Sequence, residues 1–325
     1  MKKHAIEHSD KPTGEAAFLA YYQTIFSNPE EFSAWENALR NNTLPILRFH
    51  PQYEETLKEL WKQAELPWKT LSWYPYAILW PEGVPPKTSL PGFEERYFYA
   101  MNASSLLPIL ALSPGPGDIV LDACAAPGGK ALFIDDLLEK KGVLVANDLS
   151  NFRRGRMRQI FHAYGKDTVE IWGQKAETLF YRYPEYFDKV LIDAPCSSEK
   201  HIIREPEELE KWSYTRVKTL SLRQKNLLKA VWRTLKKGGT LVYSTCAVTP
   251  EENEEVVADF LRSNPEAELQ PWEIVIEGKK VEVPGEAGMS SQPNLGFPLT
   301  SVRRIHPHKD QLGPMFVAKF VKKGS

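Results

Sequence analysis

The chain is 325 residues long, with 41 Lys+Arg against 42 Asp+Glu, 42% hydrophobic residues and three cysteines. That length fits two domains, and the composition excludes wholesale disorder, a fibre and, with no apolar run near ~18–20 residues, a membrane-spanning helix. Three cysteines without a Cys-x-x-Cys spacing exclude a disulfide framework and a tetrahedral zinc site, and the formal charge of −1 excludes bulk coating of nucleic acid while leaving room for a local basic patch.

Residues 1–13 read as polar and frayed. They begin basic (Met1-Lys2-Lys3-His4) but continue with Glu7, His8 and Asp10, so no secretory leader is expected. The reading is of a reduced, cytoplasmic, monomeric protein without a metal. From Gly14 apolar residues recur at helical spacing, and Asn28-Pro29-Glu30-Glu31 reads as a helix start with Asn28 as cap. Leu44 to His50 predicts a short strand and Tyr53 to Ala64 a helix. Residues 67–97, with Trp68, Trp73, Tyr74, Tyr76, Trp80 and several prolines, are a poor composition for long regular elements. Residues 1–100 are therefore expected to form a small α+β accessory domain that contacts RNA.

The pattern changes near Met101, and residues 101–325 are expected to form a second domain. Strands are predicted at Ile119–Cys124, Val143–Asp148, Val169–Gly173, Lys189–Pro195 and Gly239–Cys246. Helices are predicted up to Lys140, from Asn151, from Arg216 to Leu235 and from Pro250 to Ser263. Strands that are apolar throughout and alternate with helices imply the doubly wound α/β class, a Rossmann-like parallel sheet covered on both faces. Residues 277–303 are expected to be a long loop, and Phe316 to Val321 a last strand closing the sheet edge.

In such a sheet, ligands bind beyond the carboxyl ends of the strands, where a glycine turn lets the backbone approach them. The first strand here runs into Cys124-Ala125-Ala126-Pro127-Gly128-Gly129-Lys130, and Asp148 ends the next strand, the expected place for a carboxylate holding ribose hydroxyls. The turn is not Gly-x-Gly-x-x-Gly, so S-adenosylmethionine suits it better than a dinucleotide. The bland alternative is a tight turn with Asp148 as a helix cap.

Cys196 and Cys246 end two further strands, and on neighbouring parallel strands their thiols would share that crevice. Cys124, inside the turn, reads as a small buried residue. Thr249-Pro250-Glu251-Glu252 reads as a capping box, which places Cys246 just before a helix N-terminus, a position that favours a thiolate. A thiolate beside a methyl donor has a definite use. Addition to carbon 6 of a pyrimidine turns carbon 5 into a nucleophile. Asp193 is the candidate for holding ring nitrogen 3, and a second thiol for assisting loss of the carbon-5 proton.

Leu121–Lys130 (LDACAAPGGK), Asp193–Ser197 (DAPCS) and Tyr243–Cys246 (YSTC) resemble the signature motifs of RNA cytosine-5 methyltransferases of the Nop/Sun group. The similarity also takes in Asn102–Ser105, Asn147-Asp148 and Pro307 to Lys323, and so spans roughly residues 100–323. Leu71–Pro75 is a short further likeness to members that modify tRNA. The resemblance implies Cys246 as nucleophile, Cys196 as the residue that releases the methylated RNA, Asp193 on the target cytosine and Lys130 in the active site. It implies that Asp148 binds the cofactor ribose and that Ala125–Gly129 hold its amino-acid end, with Cys124, Arg153 and Asp193 bordering the same site. Gln174 stands where the family has an acid near the adenine. The chain departs from the pattern at Ser198-Glu199-Lys200-His201, where many members have glycines, and at Gly313-Pro314-Met315-Phe316.

RNA contacts are expected from two basic groups. One is Arg153, Arg154, Arg156 and Arg158, which helical spacing cannot place on one face; the other is Arg303, Arg304, His306, His308 and Lys309. The Trp and Tyr residues of 67–99 read mainly as core, with base stacking as the alternative. The reading is an RNA cytosine-5 methyltransferase acting on tRNA or rRNA. Its rivals are a Rossmann-type methyltransferase on another substrate and a non-catalytic RNA-binding or assembly protein that keeps the fold.

Overall fold

The computed structural model describes residues 12–26, 28–41, 43–289 and 295–324. The expectation for residues 1–11 lies outside that range, while Thr13, expected to fray with them, bridges Ser213. The chain opens with α1 (Gly14–Gln23) and α2 (Pro29–Arg40). Asn28 caps α2 as its sequence predicts, its side chain accepting from Glu31 N at 2.7 Å. The apolar faces of this pair, Phe18, Tyr22, Trp35 and Leu39, do not meet the sheet that follows. They pack on Ile202, Leu209, Trp212 and Val248 from the second half of the chain.

Then come β1 (Ile46–Phe49), α3 (Glu54–Gln63), β2 (Thr70–Leu71), β3 (Tyr74–Leu79) and β4 (Phe98–Met101), an antiparallel sheet in the order β2-β3-β1-β4. The strand β3 corrects the irregular reading of 67–97. Pro75 is tolerated because β3 pairs with β1 only from Ala77 to Leu79, so the missing N–H is not called upon there. Trp80 joins Phe49, Trp61 and Phe98 in the core beneath, with Trp68, Tyr76 and Tyr97 packed against them, and Tyr74 is buried in the neighbouring core with Trp73 and Tyr99 against it, so core is the correct reading for most of these aromatics.

The rest builds one larger sheet. Its elements are α4 (Leu107–Leu112), β5 (Ile119–Asp122), α5 (Gly129–Leu137), β6 (Val143–Asn147), α6 (Asn151–Ala163), β7 (Glu170–Trp172), β8 (Phe187–Asp193), α7 (Glu199–Ile202), α8 (Pro206–Glu210), α9 (Tyr214–Trp232) and β9 (Leu235–Thr245). They continue with α10 (Glu254–Ser263), β10 (Ala267–Gln270), the hairpin β11 (Ile274–Ile276) and β12 (Lys279–Val281), β13 (Val302–Ile305), α11 (Pro307–Asp310) and β14 (Met315–Lys322). The order is β10-β14-β9-β8-β5-β6-β7, with β9, β8, β5, β6 and β7 parallel. Fully buried Val120, Leu121, Val190, Leu191, Ile192, Leu241 and Val242 explain why these strands read as continuous apolar runs. The chain winds outward from β5 to β7, then returns to β8 and β9, so the switch point and its crevice lie at the carboxyl ends of β5 and β8.

Three expectations are corrected here. The last strand β14 is interior, with β9 on one side and β10 and β13 on the other. The expected loop 277–303 contains β12 and the start of β13, whose Val302 pairs with Ala318 to cover that edge; its residues 290–294 lie outside the described range. The expected helix 250–263 breaks at Asn253 (φ −119°, ψ −99°). The side chain of Asn253 is drawn back to the Cys246 turn, donating to the Ala247 carbonyl and accepting from Thr245 Oγ1.

Candidate active site

The strands β8 and β9 are paired in register from Lys189 to Asp193, so Asp193 faces Ser244 and the residues just beyond them diverge together. This brings Cys196 and Cys246, 50 residues apart in sequence, to an Sγ–Sγ distance of 3.2 Å as free thiols. Ser198, in left-handed backbone at φ +53°, places its Oγ 3.5 Å from Cys246 Sγ. Hydrogen bonds with Cys196 and then with Ser198 hold the Cys246 thiol below its ordinary range, against the effect of burial. Cys196, the donor of the pair and buried, is pushed well above it. The more acidic thiol is therefore Cys246.

The expected capping box is not formed, and no side-chain cap closes the turn at Thr249. Glu252 turns away from a capping box and accepts from Ser197 N at 2.9 Å and Gln224 Nε2 at 2.8 Å, besides Thr249 Oγ1 at 3.1 Å. The hydrogen-bond partners nearest the Cys246 thiol are Cys196 and Ser198.

Asp193, at the end of β8, accepts from Lys130 Nζ at 2.8 Å through one oxygen and from Ser244 Oγ at 2.9 Å through the other. Burial works against the Lys130 charge, but the Asp193 carboxylate outweighs it and raises the ammonium above its ordinary range. Together with Cys246 these two line a cavity of about 380 Å³, whose far wall is Asn102, Ser104, Pro314 and Met315. The remaining wall carries Lys200, His201 and Arg204, with Glu205 beside them, a group to which sequence reading gave no role in the site. It was legible as a Lys-His-x-x-Arg run directly after the second cysteine motif.

A second cavity, of about 330 Å³, lies on the other side of the β8 end. Cys124, Asp148, Arg153, Gln174, Glu177 and Pro195 are among its walls. Asp148 ends β6 with one oxygen accepting from Ser150 N at 2.9 Å and the other 2.8 Å from Arg153 Nη1. A buried carboxylate at this strand end, in a cavity of small-molecule size, fits a ribose diol, and the apolar Leu149, Ala176 and Leu227 fit a base. Burial pushes the Cys124 thiol above its ordinary range, as befits a residue of the wall rather than a nucleophile.

The glycine turn also has a packing cause. A Cβ on Gly129 would lie 2.7 Å from Tyr99 Cε1, and Gly128, at φ +118°, would meet Met157. Both glycines are required by packing against β4 and α6, and this packing sets where Ala125 and Ala126 present their backbone. Arg153 and Arg154 are likewise used locally. Arg153 donates to the Ala126 carbonyl, while Arg154 donates to those of Asp148 and Leu149, and Arg156 lies over the Phe152 ring.

The second expected basic group is corrected more sharply. Arg304 is 2% exposed and grips Glu254 with Nε–Oε1 at 2.6 Å and Nη2–Oε2 at 2.5 Å, while Nη1 donates to Val248 O at 2.6 Å. His306 is buried, and burial then the Arg304 charge push it down to about 3, so it is uncharged. Lys309 pairs with Glu31 and Glu286. Arg304 and His306 are interior groups, buried by the β13–β14 pairing.

The family described as 16S rRNA methyltransferase RsmB/F matches residues 109–321. A tRNA (cytosine(49)-C(5))-methyltransferase of Pyrococcus abyssi is 35% identical over 220 residues, 68% of this chain and 68% of that protein. Ribosomal RNA small subunit methyltransferase B of Vibrio cholerae is 36% identical over 202 residues, 62% of this chain but 46% of that protein, so the chain spans about half the length of this relative. A solved methyltransferase homologue from Pyrococcus horikoshii superposes with a TM-score of 0.75 at 26% identity, over 94% of this chain and 95% of its own.

Proposed function

The chain belongs to the 16S rRNA methyltransferase RsmB/F family, and from that premise we propose that it transfers a methyl group from S-adenosylmethionine to carbon 5 of a cytosine in tRNA or rRNA. The observation that supports the covalent form of this reading is the thiol pair, 3.2 Å apart, with Cys246 the more acidic and lining the cavity. An unpaired or flipped cytosine enters beside Lys200, His201 and Arg204, which meet its phosphates. Cys246 adds as thiolate to carbon 6, and the ring's displaced electrons move toward nitrogen 3 and carbon 5. Asp193 relays a proton to nitrogen 3 as this charge develops, the proton coming from the Lys130 ammonium hydrogen-bonded to it.

S-adenosylmethionine, when bound, supplies an electrophilic methyl group; Asp148 and the walls of the second cavity would hold its ribose and base. Carbon 5 attacks across the end of β8, which separates the two cavities. A water beside Cys196 takes the carbon-5 proton, and the electron pair of that C–H bond restores the carbon 5–carbon 6 double bond. Nitrogen 3 returns its proton to Asp193, and the Cys246 sulfur departs from carbon 6 as thiolate. Cys196, at hydrogen-bond distance, assists this last step. The test is transfer of labelled methyl from S-adenosylmethionine to unmodified tRNA and rRNA transcripts, with bisulfite sequencing of the product. Label at carbon 5 of cytosine is expected. Label on another base or on protein, or transfer undiminished by Cys246→Ser, would overturn it.

A further inference from the structure

Directly behind the thiol pair lies a buried carboxyl that the mechanism above does not use. Glu199 is 1% exposed, at the start of α7 and one residue beyond Ser198. Its Oε1 accepts from three groups, each on a different segment: Tyr22 Oη of α1 at 2.9 Å, Ser197 Oγ at 3.0 Å and Val248 N at 3.1 Å. Ser197 follows Cys196 directly, and Val248 lies two residues after Cys246. One oxygen atom therefore ties together the two turns that carry the thiols. The other oxygen, Oε2, is buried without a partner among the described residues.

The surroundings explain how such a group is tolerated. Burial, with the nearby Glu252 charge next, pushes Glu199 up to about 7. A protonated carboxyl leaves Oε1 free to accept while avoiding an isolated buried charge. Tyr22 is itself fully buried, its ring against Phe18 and Trp35, so its hydroxyl is held in place by packing. A parallel tie runs beside it: Tyr21 Oη and Tyr214 Oη both donate to Glu251, at 2.7 and 2.8 Å, in the turn after Cys246.

We propose that Glu199, held by Tyr22 of α1, is a positioning residue that keeps the Cys196 and Cys246 turns in contact, so that methyl transfer depends on the N-terminal helix. The claim rests on the thiol-pair reading above. Loss of the shared acceptor lets Ser197 and Val248 move independently. That withdraws the hydrogen-bond partners Cys196 and Ser198 from Cys246 and misplaces the thiolate, and misplacement of this kind costs on the order of 10–100-fold in rate.

The experiment compares Glu199→Ala, Glu199→Gln and Tyr22→Phe in the full chain, after thermal melts select variants that remain folded. It reads kcat and KM for methyl transfer and, independently, the pH of half-maximal alkylation of Cys246 by iodoacetamide, located by peptide mass spectrometry. In Glu199→Ala, kcat is expected to fall at least tenfold with the KM for S-adenosylmethionine little changed, and the alkylation midpoint to move to higher pH. Glu199→Gln, which keeps the acceptor oxygen, recovers most of that loss. Tyr22→Phe, which keeps the ring and its packing, shows the same changes as Glu199→Ala to a smaller extent. A folded Glu199→Ala protein with wild-type kcat and alkylation midpoint overturns the proposal. If the wild-type chain methylates no RNA, the functional reading fails by itself. The alkylation midpoint then decides the positioning claim alone, an unchanged midpoint overturning it and a raised one supporting it.

Discussion

Replacing Arg304 with methionine removes a guanidinium that makes three short hydrogen bonds inside the protein, two to Glu254 and one to the Val248 carbonyl. The ion pair is almost wholly buried, at 2% and 0% exposure. After the substitution the Glu254 carboxylate keeps the Met289 N–H, at 2.9 Å, but no cation. An uncompensated buried charge of this kind costs ~3–5 kcal/mol. For a chain of this size, at about 2 °C per kcal/mol, the melting temperature should fall by roughly 6–10 °C. The double variant Arg304→Met with Glu254→Leu removes both charges and should regain most of the loss. The assay is thermal unfolding by circular dichroism, run beside RNA binding at several salt concentrations. A surface arginine on an RNA phosphate would behave in the opposite way. Its loss would leave the melting temperature unchanged and lower the salt dependence of binding by about one ion. That outcome would refute the interior role and restore the sequence reading.

Other consequences follow from the site. Because Cys246 is held below the ordinary thiol range, its alkylation midpoint should lie at lower pH than that of a free cysteine thiol under the same conditions, and Ser198→Ala, which removes one hydrogen-bond partner, should move that midpoint upward. A midpoint above the ordinary value in the wild type would contradict this. Asp148→Asn should raise the KM for S-adenosylmethionine by roughly 10–100-fold, the equivalent of ~1.5–3 kcal/mol for hydrogen bonds to a charged acceptor, with RNA affinity unchanged; equal KM values would remove Asp148 from the cofactor site. Burial, then the Asp193 charge, pushes Asp122 up to about 7, and neither of its oxygens has a partner among the described residues. A carboxyl raised in the folded state contributes stability below its unfolded value that is lost as pH rises toward 7. Asp122→Asn should therefore gain on the wild type by ~4 kcal/mol between pH 4 and 7, then run parallel. Urea unfolding at pH 4.5, 6 and 8 checks this, and a constant difference would refute it.

What could be read in the sequence, and what could not, follows from the range of the interactions involved. The parallel sheet announces itself because Val120–Leu121, Val190–Ile192 and Leu241–Val242 are buried on both faces and so lack any polar alternation. The meeting of Cys196 and Cys246 was legible for the same reason: both end apolar strands, and neighbouring parallel strands end together. The Asn28 cap was legible because it is decided within four residues. The burial of Arg304 was not, since nothing near it in sequence shows that β13 folds onto β14 or that Glu254 waits 50 residues upstream. Glu252 misled because the local pattern suited a capping box, whereas Ser197 N and Gln224, distant in sequence, hold its carboxylate. The packing role of glycines 128 and 129 was not legible, because the Tyr99 and Met157 contacts that a side chain there would meet come from other elements.

The central claim, that Cys246 attacks carbon 6 and Cys196 releases the product, is tested most directly by a denaturing gel of Cys196→Ala incubated with RNA and S-adenosylmethionine. The account predicts a slower-migrating, ribonuclease-sensitive band that accumulates in Cys196→Ala and vanishes when Cys246→Ser is added. No such band, or a band that survives the loss of Cys246, would contradict it.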